Sequence, residues 1–229
     1  MTTYTVDKRF TTEVERTPRV LEIAEAFGLG LDDKEFVVFD HQPIEIEQGD
    51  VVYVTGQSGS GKSTVLRELQ AQMTAQGLKV ADIDRVELLD CPLIDQIGNT
   101  TAEALSLLSI AGLNDAYLFI RKPQELSDGQ RYRFRLAKVI ESGAQVWAAD
   151  EFLAVLDRVT AKVLAYNLQR TARKVGATLI VATTHMDMVD DLAPNLFIEK
   201  RYREKIHMVR APEGYRVPAE HDKEEQAWQ

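Results

Sequence analysis

Cysteine and long apolar runs are nearly absent from this sequence of 229 residues. Cys91 is the only cysteine, so no disulfide can form within the chain, and a reducing compartment, the cytoplasm, is expected. No apolar run approaches the ~20 residues of a membrane-spanning helix, and the first ten residues lack the apolar core of a signal peptide. We therefore expect no integral membrane segment, and any role at a membrane would require a partner protein.

Positive charge is also scarce. The 27 Lys and Arg residues are outnumbered by 36 Asp and Glu residues, which gives a formal net charge of −9. This balance excludes a protein that binds nucleic acid through bulk positive charge, although it permits a local basic patch. The run from Arg131 to Lys138 is one such patch, and solvated charge with some acid pairing is its more ordinary explanation. Nucleic-acid binding thus stays possible but is not favoured.

Apolar runs of strand length alternate with helical segments from Val51 onward. Four of them are typical of strands buried on both faces of a parallel sheet: 51–55, 79–83, 146–150 and 178–184. Shorter candidates at 36–39 and 44–46 are separated by turn residues and suggest an antiparallel N-terminal portion. The sequence therefore predicts an α/β fold with a mixed sheet.

A glycine-rich loop follows the first of these buried strands. GQSGSGKS, residues 56–63, matches the phosphate-binding pattern G-x-x-x-x-G-K-[ST] and opens a helical segment, as that pattern requires. Glycines let the backbone wrap closely around phosphates, and the helix N-terminus attracts the same anions. Lys62 is expected on the β- and γ-phosphates, and the Ser63 hydroxyl on Mg²⁺. The predicted nucleotide-binding residues of the loop are Gly56, Ser58, Gly59, Ser60, Gly61, Lys62, Ser63 and Thr64.

Two carboxylates stand at the end of the strand VWAAD. Asp150 ends the strand, where its carboxylate can hold Mg²⁺ through water, and Glu151 is placed to act as a general base or to orient the attacking water. An acidic pair after an apolar run is common by itself, but the glycine-rich loop upstream makes it significant. Together they predict a phosphoryl-transfer site for ATP and Mg²⁺.

These motifs, in this order, resemble those of ABC-type ATPases from roughly Phe36 to His207. The loop at 56–64 corresponds to the Walker A motif, and the strand at 146–150 to the Walker B motif. LSDGQ at 126–130 resembles the LSGGQ signature of this family. The resemblance implies a P-loop NTPase core of the ABC type, with an antiparallel N-terminal β portion and a helical subdomain.

The resemblance also implies roles for individual residues. It implies that Glu151 is the catalytic glutamate, His185 the switch histidine and Asp157 the D-loop aspartate. It also implies that Gln96 is the Q-loop glutamine, which would join Ser63 and Asp150 at the metal. His185 can alternatively be an ordinary histidine at the end of a strand.

The signature has its own implied chemistry. In this family it completes the ATP site of a second subunit, so Ser127, Gly129 and Gln130 are expected to face the γ-phosphate bound by another copy of the chain. The resemblance therefore implies an ATP-dependent, head-to-tail homodimer. A helix that is simply capped by Ser127 or Asp128 is the alternative.

Several positions depart from the family pattern. Asp128 replaces the usual glycine and brings a carboxylate near phosphate, where it must point away or weaken closure by like-charge repulsion. Phe152 replaces a proline that often follows the two carboxylates. The aromatic residue that would stack on adenine is expected to be Phe36, with Phe39 as its rival, although either can be a core residue.

The expected domain organisation has three parts. Residues 1–35 form an N-terminal extension packed on the cassette, residues 36–210 form the ABC ATPase domain, and residues 211–229 form a polar tail. The helical subdomain at about 93–142 is short, since only 31 positions separate Gln96 from Ser127. In transporter subunits of this family the subdomain docks a membrane protein, so its reduced length argues against a transporter.

The favoured hypothesis is therefore a soluble ABC-type ATPase that dimerises on MgATP, hydrolyses it to drive a conformational switch and acts on an unidentified protein partner. The ATP-binding subunit of a transporter and a nucleic-acid-associated module are the alternatives. The segments CPLIDQIG, LSDGQRYRFRLAK and DEFLAVLDR resemble more narrowly a group of soluble ABC ATPases, some of them fused to an acetyltransferase-like domain.

Overall fold

The computed structural model describes residues 1–12, 14–31, 34–154, 156–201, 204 and 206–211. The strands in this part of the chain are β1 Thr2–Thr12, β2 Lys34–Ile46, β3 Val51–Thr55, β4 Val80–Asp82, β5 Val146–Ala149, β6 Thr178–Thr183, β7 Leu196–Lys200 and β8 Ile206–Arg210. The helices are α1 Pro18–Phe27, α2 Lys62–Ala75, α3 Thr101–Ile110, α4 Ala116–Phe119, α5 Asp128–Glu141, α6 Arg158–Val175 and α7 Val189–Leu192. Short 3₁₀ turns lie at Ile83–Arg85, Leu93–Asp95 and Pro123–Glu125.

The central sheet has six strands in the order β4-β5-β6-β3-β7-β8. Its first five strands are parallel, and β8 runs antiparallel to β7. Every residue of β3, β5 and β6 is buried, because helices or the N-terminal strands cover both faces. The predicted α/β fold with a mixed sheet is confirmed.

The N-terminal strands β1 and β2 form a separate antiparallel sheet. The two short strands expected at 36–39 and 44–46 are parts of the single strand β2. Pro43 is tolerated inside it because both strands of a two-stranded sheet are edges, where a missing N–H breaks no central ladder. Tyr4, Val6 and Ile44 of this sheet are buried with α2 and one face of the central sheet.

The other face of the central sheet is covered by α3, α5, α6 and α7. Trp147 of β5, Phe134 of α5 and Leu164 of α6 belong to the buried core on this side. The helical portion between Leu93 and Glu141 thus packs against this face of the sheet, and the start of α5 lies against α6, where Gly129 is close to Thr160. Among the described residues, no helix is long and apolar enough to cross a membrane. From residue 212 onward, the expected polar tail lies outside the described residues.

Candidate nucleotide-binding site

Four parallel strands end at the same edge of the central sheet. Because β3, β4, β5 and β6 run in one direction, the segments that follow them must meet at this edge. Gly56 follows β3, Asp150 follows β5, and His185 comes two residues after β6. Sheet topology therefore gathers the residues predicted from separate motifs.

The loop that follows β3 is shaped for close contact with a ligand. Gly56 has φ 141°, and a Cβ atom there would lie 1.9 Å from the carbonyl oxygen of Lys200, so no side chain fits. Gly61, with φ 106°, precedes α2 without any side-chain cap, which leaves N–H groups at the helix start for an anion. Ser58 and Gly59 are exposed on the same loop, whereas Ser60 is buried.

Lys62 lies over this loop. Its ammonium group donates to the carbonyl oxygens of Gly56 at 2.9 Å and of Gln57 at 2.8 Å. Burial lowers the pKa of the Lys62 ammonium group, and the charges of Asp150 and Glu151 oppose that shift. A lysine cation held on a glycine-rich loop is suited to bind phosphate oxygens, and the carboxylates near it are suited to bind the accompanying metal.

The loop and the strand β5 meet through Ser63 and Asp150. The Ser63 hydroxyl donates to Oδ1 of Asp150 at 3.0 Å, although 87 positions separate the two residues. The amide of Glu151 donates to the same carboxylate oxygen at 3.1 Å. A hydroxyl and a carboxylate are hard oxygen ligands of the kind that Mg²⁺ prefers, so this pair fits the predicted metal.

The segment after Asp150 is held in an unusual backbone conformation. Glu151 and Leu153 have φ of 49° and 55°, a left-handed region that costs non-glycine residues free energy. Phe152, the residue in place of the family's proline, is fully buried, and its ring packs edge-on against Tyr132 of α5. Its amide donates to the carbonyl of Ala182 at 2.9 Å. Phe152 therefore anchors the segment that exposes Glu151.

His185 is half-buried on the loop after β6. The hydroxyl of Tyr53 donates to its carbonyl oxygen, and its amide donates to Oγ1 of Thr183 at 3.2 Å. Two residues further on, Asp187 pairs with Arg158 at the start of α6. These contacts fix the loop between β6 and α7 relative to β3 and α6.

Gln96 is not brought to this site by its side chain. The side chain is buried, its Oε1 accepts the amide of Leu89 at 2.9 Å, and its Nε2 donates to the carbonyls of Leu89 and Cys91. Its amide group is thus consumed within its own loop, and this placement does not support the roles predicted for it at the metal and the γ-phosphate.

Asp84 stands at the edge instead. It follows β4 by two residues, and its Oδ2 accepts the amide of Asp150 at 3.1 Å. Burial and the nearby charge of Asp82 raise the pKa of Asp84 to about 6. Asp84 was not predicted, although the rule that found Asp150, a carboxylate at the end of a parallel strand, applies equally to the strand at 79–83.

The signature residues form the start of α5. Ser127 is the N-cap: its hydroxyl accepts the Gln130 amide at 3.3 Å, while Oε1 of Gln130 accepts the Ser127 amide at 3.0 Å. A Cβ atom on Gly129 would come within 3.1 Å of the Thr160 methyl group in α6, so a larger residue there would require a local adjustment between the two helices. The expected cap is present, and it is compatible with anion binding, because a capped helix still has N–H groups in its first turn without intrahelical partners.

Three basic residues of α5, Arg131, Arg135 and Lys138, are engaged within the chain. Arg131 bonds Asp128 and two carbonyls before the helix, and the Lys138 ammonium group donates to the carbonyl oxygen of Gln96 at 2.6 Å. Arg135 carries a buried Nε atom and lies near Asp84. These engagements do not support a nucleic-acid contact by this helix.

Phe36 and Phe39 are the two candidates for stacking on adenine. The side chain of Phe36 lies outside the described residues. Phe39 is only 3% exposed and sits beneath the ammonium group of Lys200, 5.5 Å from the ring centroid. Phe39 is therefore a core residue and cannot stack on a base without rearrangement.

A parallel sheet with a glycine-rich loop, Lys62, and the joined pair Ser63 and Asp150 at one edge defines a P-loop nucleotide-binding protein. A family model described as adenylylsulphate kinase matches residues 48–102, which contain β3, the loop and α2. The wider comparisons are more specific. The relatives of the chain are ATP-binding proteins of transporters, and its structural neighbours are ATP-binding cassettes.

Among its relatives is methionine import ATP-binding protein MetN 1 of Oenococcus oeni, 24% identical over 72% of this chain and 57% of that protein. Others are phosphonates import ATP-binding protein PhnC of Hyphomonas neptunium, 26% identical over 70% and 76%, and cytochrome c biogenesis ATP-binding export protein CcmA of Zymomonas mobilis, 28% identical over 67% and 75%. The chain spans under three fifths of the length of the MetN relatives.

Solved structures agree on the fold. The ATP-binding cassette MJ0796, in a dimeric structure bound to ADP and Pi, superposes with a TM-score of 0.63 at 17% identity over 92% of this chain and 100% of that one. The cassette MJ1267 in its ADP conformation gives 0.63 at 16% identity over 91% and 92%. The narrower resemblance to soluble ATPases with acetyltransferase-like fusions is not borne out, since these relatives are transporter ATP-binding proteins.

Proposed function

We propose that this chain binds MgATP at the edge of its central sheet and hydrolyses it. The contact between the Ser63 hydroxyl and the Asp150 carboxylate carries this proposal, because it brings the phosphate loop and the metal-binding strand together. Lys62 holds the β- and γ-phosphates, and Ser63 and Asp150 hold the metal directly or through water. Mg²⁺ supplies charge neutralisation at the phosphates.

Hydrolysis needs a group that receives a proton from the attacking water. Glu151 directly follows Asp150 in the chain, and its side chain is exposed. We assign it as the general base. His185, held at the end of β6 by Tyr53, is assigned to the γ-phosphate side of the site.

The start of α5, where Ser127 and Asp128 are exposed, supports a head-to-tail homodimer. Ser127, Gly129 and Gln130 form a helix N-terminus that suits an anion, and α2 of the same chain supplies the other anion-binding helix start. Each ATP would then lie between the loop of one copy and the signature of the other. A structural neighbour, MJ0796, is described as a dimer bound to ADP and Pi.

The test uses Glu151→Gln, which removes the base and keeps the shape of the site. Light scattering after gel filtration should show a dimer with ATP and Mg²⁺ and a monomer without them. Adding Lys62→Ala to the same variant should abolish the dimer, because phosphate binding is lost. A monomer at saturating ATP and Mg²⁺ would contradict the head-to-tail arrangement.

ATP hydrolysis by this chain could drive either of two processes: a stand-alone soluble switch or transport by a membrane complex. The short segment between Gln96 and Ser127 favours a stand-alone soluble switch. The relatives, which are import and export ATP-binding proteins, favour the ATP-binding subunit of a transporter. A specific observation agrees with them: Tyr117 and Ile120, which lie three positions apart in the helical portion, are large apolar residues that are 74% and 70% exposed.

Site-specific photo-crosslinking separates the two processes. A photoreactive phenylalanine analogue at position 117, in cells, should capture a membrane-embedded protein if the chain is a transporter subunit. The matched control is position 166, since Tyr166 is also exposed (47%) but lies on α6. Adducts confined to soluble proteins would favour the stand-alone switch, and ATPase activity stimulated by DNA or RNA would revive the nucleic-acid hypothesis.

A further inference from the structure

Asp128 and Arg131 form an ion pair in the first turn of α5. Nη1 of Arg131 lies 2.8 Å from Oδ1 of Asp128. The same guanidinium donates through Nε to the carbonyl of Pro123 at 3.1 Å and through Nη2 to the carbonyl of Leu126 at 2.9 Å. One side chain therefore contacts both the acidic residue of the signature and the turn that leads into it.

The position of Asp128 creates an electrostatic conflict. A carboxylate in the first turn of a helix stabilises the helix, because it neutralises the positive end of the helix dipole. The same positive end is what a phosphate would use, and a second negative charge beside it repels the phosphate. If its charge were not neutralised, the Asp128 carboxylate would interact with the positive end of α5 itself and would repel a phosphate that binds there.

Arg131 is well placed to neutralise the charge of Asp128, because its guanidinium is held by the backbone. Exposed ion pairs are usually weak, because holding two flexible side chains together costs conformational entropy. Here two backbone carbonyls already hold the guanidinium, and the Arg131 side chain is 32% exposed. Arg131 also lies one helical turn beyond Asp128, so the pair draws the carboxylate away from the N-terminus of the helix.

We propose that Arg131 is a positioning residue for the shared ATP site: it cancels the charge of Asp128, so that the Ser127 hydroxyl and the Gly129 amide can receive the γ-phosphate bound by a second copy of the chain. This inference rests on the head-to-tail dimer of the proposed function. It makes the Asp128 and Arg131 substitutions interdependent, since the loss of Arg131 is harmful only while the carboxylate is present.

The experiment measures ATP-dependent dimerisation in the Glu151→Gln background by analytical ultracentrifugation. Arg131→Ala should weaken the dimer by about tenfold, because an uncompensated charge is then presented at both sites of each dimer. Asp128→Asn, which keeps the side-chain shape, should restore dimerisation in the double variant. The defect of Arg131→Ala should also shrink between 0.05 M and 0.5 M NaCl, as screening would require.

The matched control is Arg121→Ala, which breaks another exposed ion pair, with Glu125, shortly before the signature. It should leave dimerisation unchanged. Arg131→Ala with no effect on dimerisation would overturn the role of Arg131. A defect that Asp128→Asn does not restore and that salt does not reduce would also overturn it, because the role of Arg131 would then be purely structural. Failure of the Glu151→Gln parent to dimerise would instead overturn the proposed function, and the inference with it.

Discussion

The backbone amide of Asp150 donates to the carboxylate of Asp84 at 3.1 Å, across the ends of two adjacent parallel strands. The contact ties the metal-binding end of β5 to β4. It also places a second, half-buried carboxylate beside the predicted Mg²⁺ ligand. Arg135 of the signature helix lies near enough to Asp84 to lower its pKa, against the larger effect of burial. Asp84 thus stands between the nucleotide edge and α5.

Asp84→Asn should stabilise the metal-free protein at neutral pH. The folded-state pKa of Asp84 is about 6, above the ordinary 3.8. A raised acid pKa means that the folded state holds the proton more tightly, so the stability contributed by this group is present below about pH 4 and is lost as the pH rises to 6. Asparagine keeps the acceptor oxygen and removes the buried charge.

Thermal unfolding in EDTA should show this effect as a melting temperature about 2–4 °C higher for Asp84→Asn at pH 7.5, with the gain disappearing as the pH falls toward 4. Asp115→Asn is the matched control, because Asp115 accepts a backbone amide at 2.9 Å in the same way but is exposed. A gain that is equal at both pH values, or a loss at pH 7.5, would contradict the explanation.

Gln96→Ala should lower stability without weakening metal binding. The substitution leaves the amide of Leu89 and the carbonyl of Cys91 without their partner, and because both hydrogen bonds are only part-buried the cost is roughly 0.5–1.5 kcal/mol. The Mg²⁺ dependence of ATP affinity, measured by calorimetry, should stay within about twofold of wild type. Asp150→Asn is the comparison, and it should lose most of that dependence.

A selective loss of Mg²⁺ dependence in Gln96→Ala, with normal unfolding, would contradict this expectation. It would restore Gln96 to the metal site that the family resemblance implies.

The features that were predictable from sequence are those encoded by neighbouring residues. The loop at 56–63, the strand before Asp150 and the strand before His185 are each local patterns, and parallel pairing then brings their ends together. Asp84 and Gln96 both lie between β4 and α5. Spacing alone does not tell which of the two side chains turns toward the nucleotide-binding edge of the sheet. The contacts of Arg131 and Phe152 depend on how α5 packs, which no local pattern encodes.

Phe152→Ala should destabilise the chain and disturb catalysis at the same time. The Phe152 side chain is fully buried, and loss of a buried phenylalanine ring costs about 3–5 kcal/mol. The ring also anchors the left-handed turn that exposes Glu151, so the general base should lose its position in molecules that remain folded. We expect a lower free energy of unfolding in urea and, at a temperature where the variant is folded, a lower kcat with ATP affinity nearly unchanged.

Val159→Ala serves as the control, because Val159 is 74% exposed at the start of α6, near the same segment. It should change the free energy of unfolding by less than about 0.5 kcal/mol. Phe152→Leu should recover much of the stability, since leucine fills part of the same cavity, but less of the kcat, since it lacks the edge-on ring contact with Tyr132. Equal recovery of both quantities would mean that bulk in the core, and not the aromatic contact with α5, positions Glu151.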